Sequence, residues 1–269
     1  MTHPLDAAIA LTPLGEGRFA GATTPDYWNM AGPFGGATAA VMLKAVLDHP
    51  QCRGRPAALT VNYCGAVAEG GFEIAARLVR DGRSTQHWSV EQSQEGGGIT
   101  TTATVVTGAT RDTWAHAMAA PPAVAHWDKT PTSDSFAPVA WRKNYEMRFL
   151  AGEPRPLGPG GALMSPVTQM WVRDTPLRPL DYPALAAISD AFLPRIFMVR
   201  GDFSPVATAT LSTYFLADEA ALARQADRPL LAVCDAAAFK HGFNDQSAQL
   251  WSDDGELLAV SHQLVWFKG

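Results

Sequence analysis

Hydrophobic and polar positions change period several times along the chain, and the changes come in the same order twice. After Gly32-Pro33-Phe34-Gly35-Gly36, residues 37–48 are a nearly unbroken run of Ala, Val, Leu and Met, closed by His49-Pro50, which predicts a buried helix. Four segments rich in Thr, Val and Ile follow at 57–67, 71–80, 84–93 and 99–107. Their near-alternating pattern and the turn signals Glu69-Gly70-Gly71, Asp81-Gly82 and Glu95-Gly96-Gly97-Gly98 predict strands, the last three forming an antiparallel meander. Residues 180–192 then read as a second helix, with Asp181 as N-cap, Pro183 in the first turn and Pro194 just past the end. Strand patterns return at 206–216, 230–240, 246–252 and 256–267, with turns at His241-Gly242 and Asp253-Asp254-Gly255. A further strand pattern precedes each helix, at 17–22 in the first half and at 144–149 with 167–173 in the second.

The best internal match sets Asp81-Gly82-Arg83-Ser84-Thr85-Gln86 over His241-Gly242-Phe243-Asn244-Asp245-Gln246, a constant offset across a turn and the strand it leads into. Two halves of one topology follow: residues 1–112, a connector at 113–139, and residues 140–269. The connector holds Pro121-Pro122, Pro131 and Pro138 with no sustained period, and its Trp114 and Trp127 predict that it packs onto the surface. One Ala-rich helix followed by a long antiparallel sheet in each half predicts an α+β fold, the sheet curling round the helix.

Composition narrows the function classes. The 269 residues carry Lys+Arg 21 and Asp+Glu 26, a net charge of −5, so the basic face a nucleic-acid binder needs is missing. A hydrophobic content of 47% excludes a disordered chain. No apolar run approaches the ~20 residues of a membrane span, and the first residues lack the basic and apolar regions of a signal peptide. Three cysteines, Cys52, Cys64 and Cys234, form neither a CxxC pair nor an even set, and with the missing signal they point to the reducing cytoplasm.

The familiar enzyme signatures are absent: no GxGxxG after a strand, no GxxxxGK[ST], no HExxH and no GxSxG, so no nucleotide cofactor or metal is expected. None of the seven histidines stands at metal-ligand spacing, and Arg77, Arg80, Arg83, Arg195 and Arg200 read as solvated surface charges. Four features remain. Gly35 and Gly36 open a helix, where free N–H groups and the positive dipole end suit a polarised oxygen, although such glycines also serve turns. Asp190 stands among Ala186, Ala187, Ile188, Ala191 and Phe192, an acid on an apolar helix. Thr208 alternates with Val206, Thr210, Ser212 and Tyr214, which is ordinary strand composition. Gln263 shares a strand face with Ala259, Ser261, Val265 and Phe267, where a buried amide needs partners.

The duplicated helix-then-four-strands pattern, the Gly35-Gly36 opening and the trio Asp190, Thr208 and Gln263 resemble the double hotdog acyl-CoA thioesterases, acyl-CoA thioesterase II and its relatives, over nearly the whole chain. Ser189-Asp190-Ala191-Phe192-Leu193-Pro194 is similar to the family's helix with its catalytic Asp, the segment around Thr208 to the strand bearing its Thr, and Leu258-Ala259-Val260-Ser261-His262-Gln263 to the strand bearing its Gln. The strand around Thr208 departs from the pattern of the best-known members in lacking acidic and histidine residues. The resemblance implies a double hotdog in which Asp190, Thr208 and Gln263 hold a water that attacks an acyl-CoA thioester, with Gly35 and Gly36 facing the thioester oxygen. It also implies association into homo-oligomers through edge strands. By the repeat offset the first half has Ala103 where the second has Gln263, and Ala39 and Ala40 where an acid is expected, so one site per chain follows. The alternatives are a hotdog hydratase, which uses a paired Asp and His, and a non-catalytic acyl or acyl-CoA binding module.

Overall fold

The computed structural model describes residues 2–96, 98–133, 139–154 and 165–269; Gly97 of the predicted turn and residues 134–138 of the connector lie outside them. A short helix α1 (Pro4–Ala8) and a hairpin of β1 (Thr12–Gly15) and β2 (Arg18–Ala22) lead to helix α2 (Gly35–Leu47). Strands β3 (Arg55–Tyr63), β4 (Gly71–Asp81), β5 (Thr85–Ser93) and β6 (Ile99–Gly108) complete the first half. The second half runs β7 (Tyr145–Ala151), β8 (Thr168–Asp174), α3 (Tyr182–Ile188), α4 (Arg195–Arg200), β9 (Val206–Phe215) and α5 (Glu219–Gln225). It ends in β10 (Leu230–Asp235), β11 (Phe239–Lys240), β12 (Phe243–Trp251) and β13 (Leu257–Phe267).

Thirteen strands among the described residues form one antiparallel sheet, in the order β1-β2-β4-β5-β6-β3-β9-β13-β12-β10-β8-β7, with β11 beside β12. The order is a palindrome. Each half lays its strands outward from β3 or β9 in the same sequence, and those two strands pair with each other, Val61 opposite Leu211, so the sheet crosses between halves without a break. This is the double hotdog. Both helices lie inside the curved sheet: ten residues of α2 and all seven of α3 are buried, which is why their sequences show almost no polar face. Alanine and glycine let them approach closely. A Cβ on Gly36 would come within 2.4 Å of the Ala187 carbonyl oxygen, so only glycine fits there.

The strands follow their alternation. In β4, Phe72, Ile74 and Ala76 point inward while Glu73, Ala75 and Arg77 face water. The run predicted at 230–240 is two strands, β10 and β11, separated by a turn in which the Asp245 carboxylate accepts the Ala237 and Ala238 amides. β8 and β10 are covered on both faces: behind them Trp171, Leu231 and Trp251 form a second small core with Val124 and Trp127 of the connector. The connector thus packs at Trp127, flanked by the Arg148 and Arg173 guanidinium groups, whereas Trp114 is 84% exposed, contrary to the expectation that both indoles are covered. Arg195, expected at the surface, is fully buried and donates to the carbonyls of Leu193 and Pro166 and to the Thr168 hydroxyl. No helix among the described residues is long and apolar enough to cross a membrane.

Candidate active site

Asp190 is not within a helix, as its apolar surroundings suggest; α3 stops at Ile188. Ser189 ends it, its hydroxyl turning back to the Leu185 carbonyl at 2.8 Å, and Asp190 occupies the tight turn that follows. The turn aims the carboxylate at the start of α2. There Phe34 provides no side-chain cap, so the first N–H groups of α2 are free for an acceptor from elsewhere. The Gly36 amide meets the Asp190 carboxyl, and a Cβ on Gly35 would stand 2.7 Å from Asp190 Oδ2, so the carboxylate fits only because residue 35 has no side chain. Burial pushes the Asp190 carboxyl up to about 7, against the Gln263 side chain and the Gly36 amide, which both favour its charged form.

Thr208 reaches the same place through an irregularity that strict alternation misses. Along β9 and β13, Leu264 pairs with Thr210 but Val265 pairs with Thr208, so one extra residue sits in β9 at Ala209. The bulge moves Thr208 to the inner face with Leu211, Thr213 and Phe215, away from Ser212 and Tyr214, with which simple alternation groups it. Its hydroxyl lies 3.4 Å from Gln263 Oε1, and Gln263 Nε2 donates to the Ser189 carbonyl at 3.4 Å. One amide therefore links the Thr208 strand to the turn that holds Asp190.

Asp190, Thr208, Gln263 and Gly35 all line one cavity of about 330 Å³, whose remaining wall is mostly aromatic and aliphatic. Gly36 lies behind this wall, touching the cavity's chemistry through Asp190. Three polar residues there, Asn29, Tyr63 and Gln246, carried no functional reading in the sequence. Tyr63, at the end of β3, donates to the Gly35 carbonyl at 2.8 Å and steadies the first turn of α2; burial raises its phenol well above the ordinary value. Gln246, the cross-strand partner of Gln263, is 3% exposed, and its Oε1 has no hydrogen-bond partner among the described residues. Its position in the internal match with Gln86 was the one available signal. In the first half, Ala39, Ala40 and Ala103 are buried in apolar core, and Ala103 pairs with Val61 and Val90.

Comparison with known families places the chain. Residues 24–108 match the family model described as acyl-CoA thioesterase N-terminal domain, and residues 115–267 the model described as acyl-CoA thioesterase C-terminal domain. The chain belongs to the acyl-CoA thioesterase family. Among solved structures it is similar to a conserved protein of unknown function with hot dog fold from Alicyclobacillus acidocaldarius, at 41% identity and a TM-score of 0.94, covering 100% of this chain and 99% of that one. It is also similar in fold to the acyl-CoA thioesterase II TesB2 from Mycobacterium marinum, with 19% identity, a TM-score of 0.79 and 98% of each chain covered. The tesB protein of Mycobacterium avium subs paratuberculosis shares the fold at 17% identity and a TM-score of 0.77, again with 98% of each chain covered. No curated protein matches the chain.

Proposed function

We propose that this protein hydrolyses acyl-CoA thioesters by direct attack of water, with Asp190 as the base and Thr208 and Gln263 as the groups that orient the water. The observation that carries this reading is the convergence of a carboxylate, a hydroxyl and an amide from three separate elements at the N-terminus of a helix from the other half. A carboxyl near 7 is a competent proton acceptor at neutral pH, since general-base efficiency peaks when the pKa lies close to the working pH.

In the first step the water oxygen bonds to the thioester carbonyl carbon while Asp190 takes its proton. The carbonyl oxygen gains charge, and the Gly35 N–H at the open end of α2, helped by the helix dipole, stabilises it; donors of this kind are worth roughly 3 kcal/mol elsewhere. The C–S bond then breaks, the thiolate of coenzyme A takes the proton from Asp190, and the free acid and thiol leave. No nucleophilic side chain is needed. Among the described residues the cavity lining holds no histidine, which a hydratase with a paired Asp and His requires.

Release of free thiol from a panel of acyl-CoA esters tests the reading. Asp190→Asn should lower turnover by about 100-fold or more while acyl-CoA still binds and the fold is kept. An Asn variant with unchanged turnover refutes the base role. Failure of the unmodified protein to release thiol from any ester, with binding intact, replaces the enzyme with a binding module.

A further inference from the structure

The main cavity has a wet end and a dry end. At the wet end Met30 and Phe203 are 52% and 59% exposed, and Phe203 leans on buried Phe197 at 5.1 Å between ring centroids. At the dry end stand Phe34, 2% exposed, and Phe192, 6% exposed, with Trp141 stacked on Phe34 at 4.3 Å and an interplanar angle of 12°. An acyl tail entering from water therefore ends against this aromatic wall. Behind it lies a second, smaller cavity of about 30 Å³, the room of a single water or methyl group. Trp141, Phe192 and Leu193 line both cavities, so these three side chains are the partition between them.

The rear space is suited to hydrocarbon. Beyond the shared wall, its apolar lining is Met147, Phe149, Pro154, Met170 and Ala191, and unbranched methionine adapts to irregular shapes. Its two cations are engaged elsewhere: the Arg195 guanidinium is tied to the Thr168 hydroxyl at 2.6 Å and to the carbonyls of Leu193 and Pro166, and Arg142 donates to the carbonyls of Tyr145 and Ser133. Trp141 is held by the Phe34 stack and an edge contact with Tyr145 at 6.0 Å, and its indole nitrogen is buried with no partner among the described residues, so aromatic packing and no side-chain hydrogen bond places the ring.

We propose that Trp141 and Phe192 set the acyl-chain length this protein accepts, by closing the main cavity against the small apolar cavity behind it. The ligand rests on the thioester reading above; the partition rests on the two cavities and their shared wall. Shortening either side chain joins the cavities and gives the tail room for further methylenes.

The test is a length series of saturated acyl-CoA esters, run with the unmodified protein, Trp141→Leu and Phe192→Leu, alongside binding of the matching non-hydrolysable thioether analogues. Two variants are used because removing a packed indole threatens folding; melting curves identify a variant that has failed to fold, and the other then decides. In a folded variant, kcat/KM and analogue affinity should both rise for the longer members relative to the shorter ones. The change should be at least about 10-fold, the size expected when one methylene gains room in an apolar pocket. An unchanged length profile in a folded variant, or a shift to shorter chains, overturns the partition. If no protein releases thiol but analogue binding shifts to longer chains in the variants, the partition stands and the hydrolytic reading falls.

Discussion

The strand after the Asp81-Gly82 turn carries Gln86 into a closed polar knot, and the strand after His241-Gly242 carries Gln246 to the same depth and leaves it open. Gln86 Oε1 accepts from the Arg53 amide at 2.8 Å and the Thr107 hydroxyl at 3.3 Å, while its Nε2 donates to the Gln51 carbonyl and to Asp81. Gln246 is buried to a similar degree, yet its Oε1 meets no donor among the described residues and it borders the cavity. Buried amides are normally satisfied, and leaving one unmatched costs roughly 1–3 kcal/mol. The first half uses its glutamine to tie the loop after α2 to the sheet. The second half holds its own in reserve beside Gln263, as active sites commonly do with groups meant for a ligand, although the two hairpin registers set Gln246 over Trp88 and not over Gln86.

The sharpest way to break this contrast is at the joint between the halves. Gly36→Ala should be the most damaging change, because its Cβ would meet the Ala187 backbone oxygen and the Phe34 ring, neither of which can yield. Overpacking of this sort costs ~1–3 kcal/mol or more and should show as a large fall in melting temperature. Gly35→Ala should behave differently: its Cβ meets the movable Asp190 carboxylate, so the fold should survive while turnover falls by about 10- to 100-fold through displacement of the base. Equal stability losses in the two variants would mean that Gly35 serves packing alone.

The glutamine pair gives a smaller, crossed pair of effects. Gln86→Leu should lower stability by ~2–4 kcal/mol, since it strands several partners at once, and leave turnover per folded molecule unchanged. Gln246→Leu should leave stability unchanged or raise it by up to ~1–3 kcal/mol, and reduce turnover. Denaturant titration with thiol-release assays reads both, and parallel behaviour of the two variants would erase the distinction between halves.

The smallest effect concerns acidity. Asp174, 4% exposed behind Tyr27 and Tyr145, is also raised to about 7 by burial, more than Arg178 lowers it, and it does not line the cavity that holds Asp190. Its folded-state value lies above the ordinary 3.8, so the native state holds the proton more tightly. The stability this provides is complete below pH 4 and is lost as the pH rises through about 7. Asp174→Asn should therefore raise the melting temperature by a few degrees at pH 8, leave it nearly unchanged at pH 4, and spare catalysis. Turnover, which needs ionised Asp190, should by contrast climb as the pH passes about 7. A melting curve for Asp174→Asn that follows the unmodified protein at both pH values would show that the carboxyl is already accommodated as an anion.

Much of the architecture was legible because period and punctuation agreed. Asp181 caps α3 as expected, accepting the Ala184 amide at 2.8 Å, and the strand patterns fall on strands apart from the break after β10. The misplaced details have local causes. Apolar residues continue past Ile188 because the turn holding Asp190 is itself packed, so hydrophobicity could not mark the end of α3, and Pro194 begins α4. The inward turn of Thr208 depends on a bulge, which strand composition does not announce. Tyr63 reads in sequence as one more strand residue, and its role appears only when β3 is laid against α2. Arg195 is hidden because its partners are carbonyl oxygens, which every sequence possesses.

The pairing of β3 with β9 also bears on how the molecule comes apart. Independent melting of two lobes requires a boundary across which few bonds run, and here the central ladder and the docked helices α2 and α3 are the boundary. Unfolding one half would strip a full row of hydrogen bonds from β3 or β9 and lay bare the buried face of the partner helix. Heating should therefore release the two halves together, so that catalysis and structure vanish in a single cooperative event.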